Sequence, residues 1–173
     1  AGAIVRTFSD KMRDVIHVSD FMTDEQKADV ASRSGIIDVL PALNAAIASA
    51  VQSDGFVYPS QGKVELPRGV MFLNGSLTLN TSVHFVGHGA GQSGGNFATT
   101  LKFPANTLGI VVKKGATGPN QNGGDASIIE GVFLQGGGGS ASTAHGVDVQ
   151  ARIKLRDVAI EGFAGNGINV VAD

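Results

Sequence analysis

Cysteine is absent from this 173-residue sequence, so acid–base or metal chemistry falls to four histidines, His17, His84, His88 and His145, and 15 carboxylates. The histidines show no H-E-x-x-H spacing and have no thiolate company, which argues against a metal site. His84 alternates with apolar Val83 and Phe85 and reads as a solvated residue on the outer face of a strand. Gly89-Ala90-Gly91-Gln92-Ser93-Gly94 is a literal G-x-G-x-x-G after a strand. The following GNFATT runs into another strand, which leaves no helix N-terminus for a pyrophosphate, and Lys114 stands where an acid is wanted. No nucleotide or other cofactor is therefore expected. The carboxylates could also act in pairs, and two carboxyls about 5 to 9.5 Å apart are one arrangement for general acid–base work, hydrolysis of a glycosidic bond being an example. Neighbouring parallel strands, about 4.8 Å apart, can supply such a pair from equivalent positions.

The strands that would position them are concentrated between Gly62 and Gly89. There Val64 and Leu66, Leu77 and Leu79, and Val83 and Phe85 are apolar at a spacing of two, with Glu65, Thr78 and His84 on the opposite face. Pro67-Arg68-Gly69 and Asn74-Gly75 supply turns. The pattern returns with a long period: Ile129, Val132 and Leu134 are matched 26 positions later by Leu155, Val158 and Ile160, and Gly136 falls on Gly162. A second unit recurs as Gly109-Ile110-Val111-Val112, Gly146-Val147-Asp148-Val149 and Gly167-Ile168-Asn169-Val170. Self-similarity of this period marks a solenoid, with strands stacked in parallel rather than folded into hairpins. The glycine-rich stretches Gly115 to Gly124 and Gly136 to Gly146 read as its loops. In this register Glu130 faces Arg156, Gln135 faces Glu161 and Asp148 faces Asn169, so no two carboxylates meet. Only a diagonal pairing of Asp148 with Asp157 or Glu161 is left, and the catalytic residues stay unassigned.

The composition fits one domain with a short N-terminal leader: 42% of residues are hydrophobic, and glycine reaches 25 of 173 without a collagen-like period. A net charge of −2, from 13 basic and 15 acidic residues, gives no pull toward nucleic acid or anionic lipid. No apolar run approaches the ~20 residues of a membrane span, and no signal peptide opens the chain. The lack of an initiating Met suggests a chain that is processed or cut from something longer, and the lack of cysteine suits a reducing cytoplasm.

The N-terminal quarter differs in kind. Val5, Phe8, Met12 and Val15 lie at helical spacing, a stripe that packs either on its own solenoid or on copies of itself about a symmetry axis. A second helix is expected from about Asp38, its N-cap, to Gln52, with Leu40, Leu43, Ile47 and Val51 on one face. Laid over the first strands, it would cover an open solenoid end.

In order, Asp20-Phe21, the helix segment Ala42 to Ile47, Val64 to Gly69, Leu77 to Leu79, Val83 to Gly89 and the repeats at Ile129 to Gly136 and Leu155 to Gly162 resemble the pectate-lyase-like right-handed parallel β-helix proteins. The chain departs from that pattern at Met22 to Ile37, MTDEQKADVASRSGII, where an Asp- and Gly-rich stretch is usual and a short polar helix is expected instead. Upstream, AGAIVRTFSDKMRDV looks like the junction that precedes the β-helix in bacteriophage tailspikes, homotrimeric proteins that grip and often cleave bacterial surface polysaccharide.

The resemblance implies an all-β fold, a right-handed parallel β-helix with an N-terminal helical leader and an α-helical cap. Its segments would be a leader at 1–17, a cap region at 18–61 with its helix at about 38–52, and first coils at 62–173. It further implies a homotrimer in the virion tail, assembled in the host cytoplasm beside tail or baseplate components. The parent protein would bind and degrade capsule or lipopolysaccharide. No metal, cofactor, nucleic acid or membrane insertion is expected. With no Trp and a single tyrosine, Tyr58, the chain lacks the aromatic faces that usually hold sugars and reads as framework rather than groove. A free bacterial polysaccharide lyase or hydrolase, secreted, and a non-catalytic β-helix adhesin are the alternatives.

Overall fold

Short apolar–polar alternations bounded by glycine and proline become strands, and the polar stretch after Phe21 and the stripe after Asp38 become helices, whereas Val15 of the leader stripe starts a strand. The computed structural model describes residues 15–50, 62–91, 98–114 and 126–171. Its strands are β1 (Val15–His17), β2 (Gly62–Glu65), β3 (Gly69–Phe72), β4 (Leu77–Leu79), β5 (Val83–Val86), β6 (Thr99–Lys102), β7 (Ile110–Val112), β8 (Ser127–Gln135), β9 (Val147–Val149), β10 (Ile153–Glu161) and β11 (Ile168–Val170). The α-helices are α1 (Asp24–Ser32) and α2 (Leu40–Ala50), preceded by a 3-10 turn at Val18–Phe21. The strands form a seven-stranded sheet, ordered β1-β2-β5-β8-β6-β3 with β10 added on β8, and a four-stranded sheet, ordered β11-β9-β7-β4.

Every strand pairing among the described residues is parallel, and no hairpin joins the segments between 62 and 86: β2 pairs with β5, β3 with β6 and β4 with β7. The 26-residue register is present as pairing, with Leu155 opposite Ile129, Val158 opposite Val132, Ile160 opposite Leu134 and Glu161 opposite Gln135. Matching residues then bury one another. Val64, Phe85 and Ile129 form one inward row, Met71, Leu101 and Leu134 a second, and Leu77, Ile110 and Val147 a third. All nine are buried in a single cluster, so both sheets face one core.

The long strand β8 serves two rows. Its first half pairs with β5 as far as Glu130, and its second half pairs with β6 from Val132 onward. Between them Gly131 takes φ 66°, and at the equivalent place on β10 Asp157 takes φ 47°. Both are left-handed conformations that bend the strand, and Asp tolerates that region better than most residues. At Gly69, φ is 127° and a Cβ would lie 2.1 Å from the Val30 carbonyl oxygen, so this turn admits no side chain.

The polar stretch after Asp20-Phe21 is a helix, as its composition implies. Thr23 caps α1 in a reciprocal capping box with Gln26, and Arg33 ends it with φ 65°. Asp29 on α1 is buried, and its carboxylate accepts hydrogen bonds from the backbone amides of Ile36 (3.0 Å) and Ile37 (3.2 Å). Asp38 ties the start of α2 down from two sides, since its Oδ1 accepts from the amides of Leu40 (2.9 Å) and Asn74 (3.0 Å). Leu43 and Ile47 of the expected stripe are buried and Leu40 is half-buried, joined by Ala42, Ala46 and Ala50. Val51 and Gln52 lie outside the described residues.

The expectation of an all-β right-handed parallel β-helix is corrected. The chain is mixed α/β: two parallel sheets of seven and four strands with two helices, and neither sheet is closed or wound into a solenoid. The physical reason lies in what a repeat specifies. A long period in apolar positions dictates parallel pairing across a long crossover, which open sheets satisfy as well as closed ones. The helices also contribute Val30, Leu43 and Ile47 to the common core rather than lying over a finished one. Of the leader at 1–17, only β1 is described, paired with β2. Phe8 and Met12, the glycine-rich stretch 115–124 expected as a loop, Tyr58 and Gln92 to Gly94 lie outside the described residues.

Candidate functional site

The outward face of the seven-stranded sheet brings histidines and carboxylates together. Parallel registration places His17, Glu65, Val86, Glu130 and Arg156 in one row across β1, β2, β5, β8 and β10. Glu65 lies between two histidines, with His17 Nδ1 at 3.8 Å from one carboxylate oxygen and His88 Nε2 at 3.7 Å from the other. Glu130 lies between His84 Nε2 at 3.4 Å and Arg156 Nη1 at 3.5 Å. His84 lies on the outward face as expected, with its side chain 26% exposed, but its Nε2 atom is itself buried and without a hydrogen bond.

Glu65 and Glu130 stand two strands apart, a backbone separation of roughly 9.6 Å from the usual strand spacing, at the outer limit for an inverting glycosidase. Their surroundings do not suit that reaction. A general acid of this kind needs a carboxyl held in an apolar pocket, and each of these is half-exposed and flanked by two nitrogen groups. The two groups lie on either side of Val86; Glu130 and Arg156 tie β8 to β10 as an ion pair, and the histidine contacts are ionic only where the imidazole is protonated. Each exposed pair of this type contributes about 0–1 kcal/mol.

Asp148 is the second candidate, on the outward row of the four-stranded sheet opposite Val111 and Asn169. Burial pushes its carboxyl upward. That effect is outweighed by hydrogen bonds donated by Asn169 Nδ2 (2.7 Å) and Gln150 Nε2 (2.8 Å) and by positive charge at His145 and Lys113, so its pKa falls below the ordinary carboxylate value. A carboxylate held this way is an acceptor that fixes neighbouring amides, not a proton donor.

All three expected facing pairs are present: Glu130 with Arg156, Gln135 with Glu161, and Asp148 with Asn169. Asp157 is engaged elsewhere, its Oδ2 accepting from the Ala90 amide at 3.4 Å. His145 Nδ1 accepts from the Asn166 amide at 2.9 Å. Among the described residues no three His, Asp or Glu side chains are grouped to hold a metal ion. No described helix is long and apolar enough to cross a membrane.

The grouping of His17, Glu65 and His88 was not anticipated. A signal was present, since Val64 and Phe85 are apolar partners 21 residues apart with Glu65 and His84 beside them, but one such pair does not establish a repeat. Comparison of the chain with protein-family models, with curated proteins and with solved structures finds no match.

Proposed function

We propose that this chain is a framework and assembly segment of a tailspike-like protein that binds and degrades bacterial surface polysaccharide. In this reading it closes one end of a set of parallel strands and helps to hold a homotrimer together in a virion tail. The chemistry of polysaccharide cleavage then belongs to other parts of the parent protein.

One observation carries the framework role: the two ends of the strand rows differ. At one end α1 packs on β3, and α2 packs on β1 and β2. At the other, β10 and β11 have no strand beyond them among the described residues, and Ile168, Val170 and Val171 are 47%, 71% and 49% exposed. The inward residues of β10, Leu155, Val158 and Ile160, are only half-buried, although the equivalent residues of β8 are fully buried. Contiguous apolar surface of this kind on a strand edge calls for a cover, and further parallel strands carrying apolar residues in the same register supply one. The tailspike branch rests on the residue resemblance, above all that of the N-terminal stretch.

Incubating the 173-residue chain with capsule or lipopolysaccharide, and assaying reducing ends and 4,5-unsaturated uronate, tests where the chemistry lies. No turnover is expected. Turnover that disappears on Glu130→Gln or Asp148→Asn would refute the framework role and move the active site into this chain. Light scattering of the parent protein should report a trimer, and a monomer would refute the assembly role.

A further inference from the structure

The four-stranded sheet ends at β4, and between this edge and α2 lies a cleft of about 360 Å³ lined by Asn44, Ile47, Ala48, Thr78, Asn80 and Thr81. This falls within the range of roughly 300–1,000 Å³ typical of small-molecule sites. None of the six residues is charged. Ile47 and Ala48 give it an apolar wall, while the other four bring two carboxamides and two hydroxyls, each able both to donate and to accept. One of those hydroxyls is unexplained: Thr81 Oγ1 is buried and has no hydrogen-bond partner. A buried polar atom left bare in a polar-lined cleft asks for a partner, and one χ1 step between staggered rotamers re-aims a threonine hydroxyl.

The lining selects a chemical class. Among the described residues a phosphate or carboxylate would find no cation here, and a flat heteroaromatic ring would find no aromatic wall. A pyranose ring presents adjacent hydroxyls that both donate and accept, on a C–H framework that packs on aliphatic carbon. We propose that this cleft binds one neutral sugar unit, with Asn44 and Asn80 bonding ring hydroxyls and Ile47 and Ala48 supporting a C–H face. This goes beyond the framework reading and stands independently of it.

The test is an amide-resolved NMR titration of the 173-residue chain with D-glucose, D-galactose and D-mannose, with sorbitol and D-glucuronate as comparison ligands. Saturable shifts centred on Asn44, Thr78, Asn80 and Thr81 are expected for at least one hexose, with a Kd on the order of 1 mM. Asn44→Ala and Asn80→Ala should each weaken binding by roughly tenfold, as for loss of one well-made hydrogen bond. Both residues are exposed, and an unchanged spectrum elsewhere will show that the variants fold. Thr78→Val, which keeps the side-chain shape, gives a third reading through the hydroxyl alone. Absence of saturable shifts with all three hexoses, or equal affinity in the Asn44→Ala and Asn80→Ala variants, would overturn the assignment. Tighter binding of glucuronate or sorbitol than of any hexose would overturn the neutral-ring class.

Discussion

Replacing Leu134 with alanine tests the packing where two inward rows meet. Leu134 is fully buried, paired between Leu101 of β6 and Ile160 of β10. Truncation removes three carbons, worth about 0.8 kcal/mol each in transfer, or roughly 2.4 kcal/mol in all. The cavity term adds to this, because strands on both sides hold the site open, and the total should reach about 3–4 kcal/mol. The partner Ile160 is apolar and in register but only half-buried, with no strand beyond it among the described residues. Ile160→Ala should therefore cost roughly 1–2 kcal/mol, since half of the transfer term is already lost and the open side can relax. Gln135, next along β8 and facing outward, should tolerate alanine within about 0.5 kcal/mol. Urea melts resolve these differences: with m near 1–3 kcal/mol/M, Leu134→Ala should lower the midpoint by more than about 1 M at unchanged m. Equal losses at Leu134 and Ile160 would mean that β10 is covered in solution, and equal losses at Leu134 and Gln135 would refute the register itself.

Removing the Asp38 carboxylate by Asp38→Ala frees the amides of both Leu40 and Asn74, and should cost about 1–2 kcal/mol by thermal melting; a loss below about 0.3 kcal/mol would show that the tie is not made. Asp148 has a folded-state pKa below its ordinary value of 3.8, so its contribution is present above that value and is lost as the pH falls through the depressed folded value. Urea melts below about pH 4 should show an acid limb that is shallower in Asp148→Asn, and identical limbs would remove Asp148 from the linkage. Gly69→Ala, whose Cβ meets the Val30 carbonyl at a positive φ, should cost more than roughly 2 kcal/mol or prevent folding; a stable, natively folded variant would refute the tight approach of α1 to β3.

The parallel pairings were legible wherever apolar residues recur in matched groups. Ile129, Val132 and Leu134 announce Leu155, Val158 and Ile160 because each must sit on its like to stay dry. Helix α1 was legible in composition, and Thr23 with Gln26 carries its start. The fold class was not legible, because the repeat reports which strands pair and is silent on whether a sheet closes. Nor did it reveal that Leu43 and Ile47 share a core with both sheets. The two charged groups on the outward face were half visible. Glu130 and Arg156 follow from the repeat, whereas His17, Glu65 and His88 meet across connections of unequal length that no single period describes.

The order in which strands add to the rows has a consequence for biosynthesis. Along the first row β2 pairs with β1, β5 with β2, β8 with β5 and β10 with β8; the second and third rows likewise add β6 to β3 and β9 to β7. Chain order and spatial order therefore agree, and a strand leaving the ribosome meets a template that has already been made. Synthesis at about 5–20 residues per second gives each strand seconds to dock before its successor arrives. Contacts that are distant along the sequence, and slow to find from the unfolded chain, form one at a time, and each row exposes a single growing edge. Nascent chains stalled beyond β5 should already protect β2 from protease, while refolding of the full chain from urea should be slower and more prone to aggregation than its synthesis.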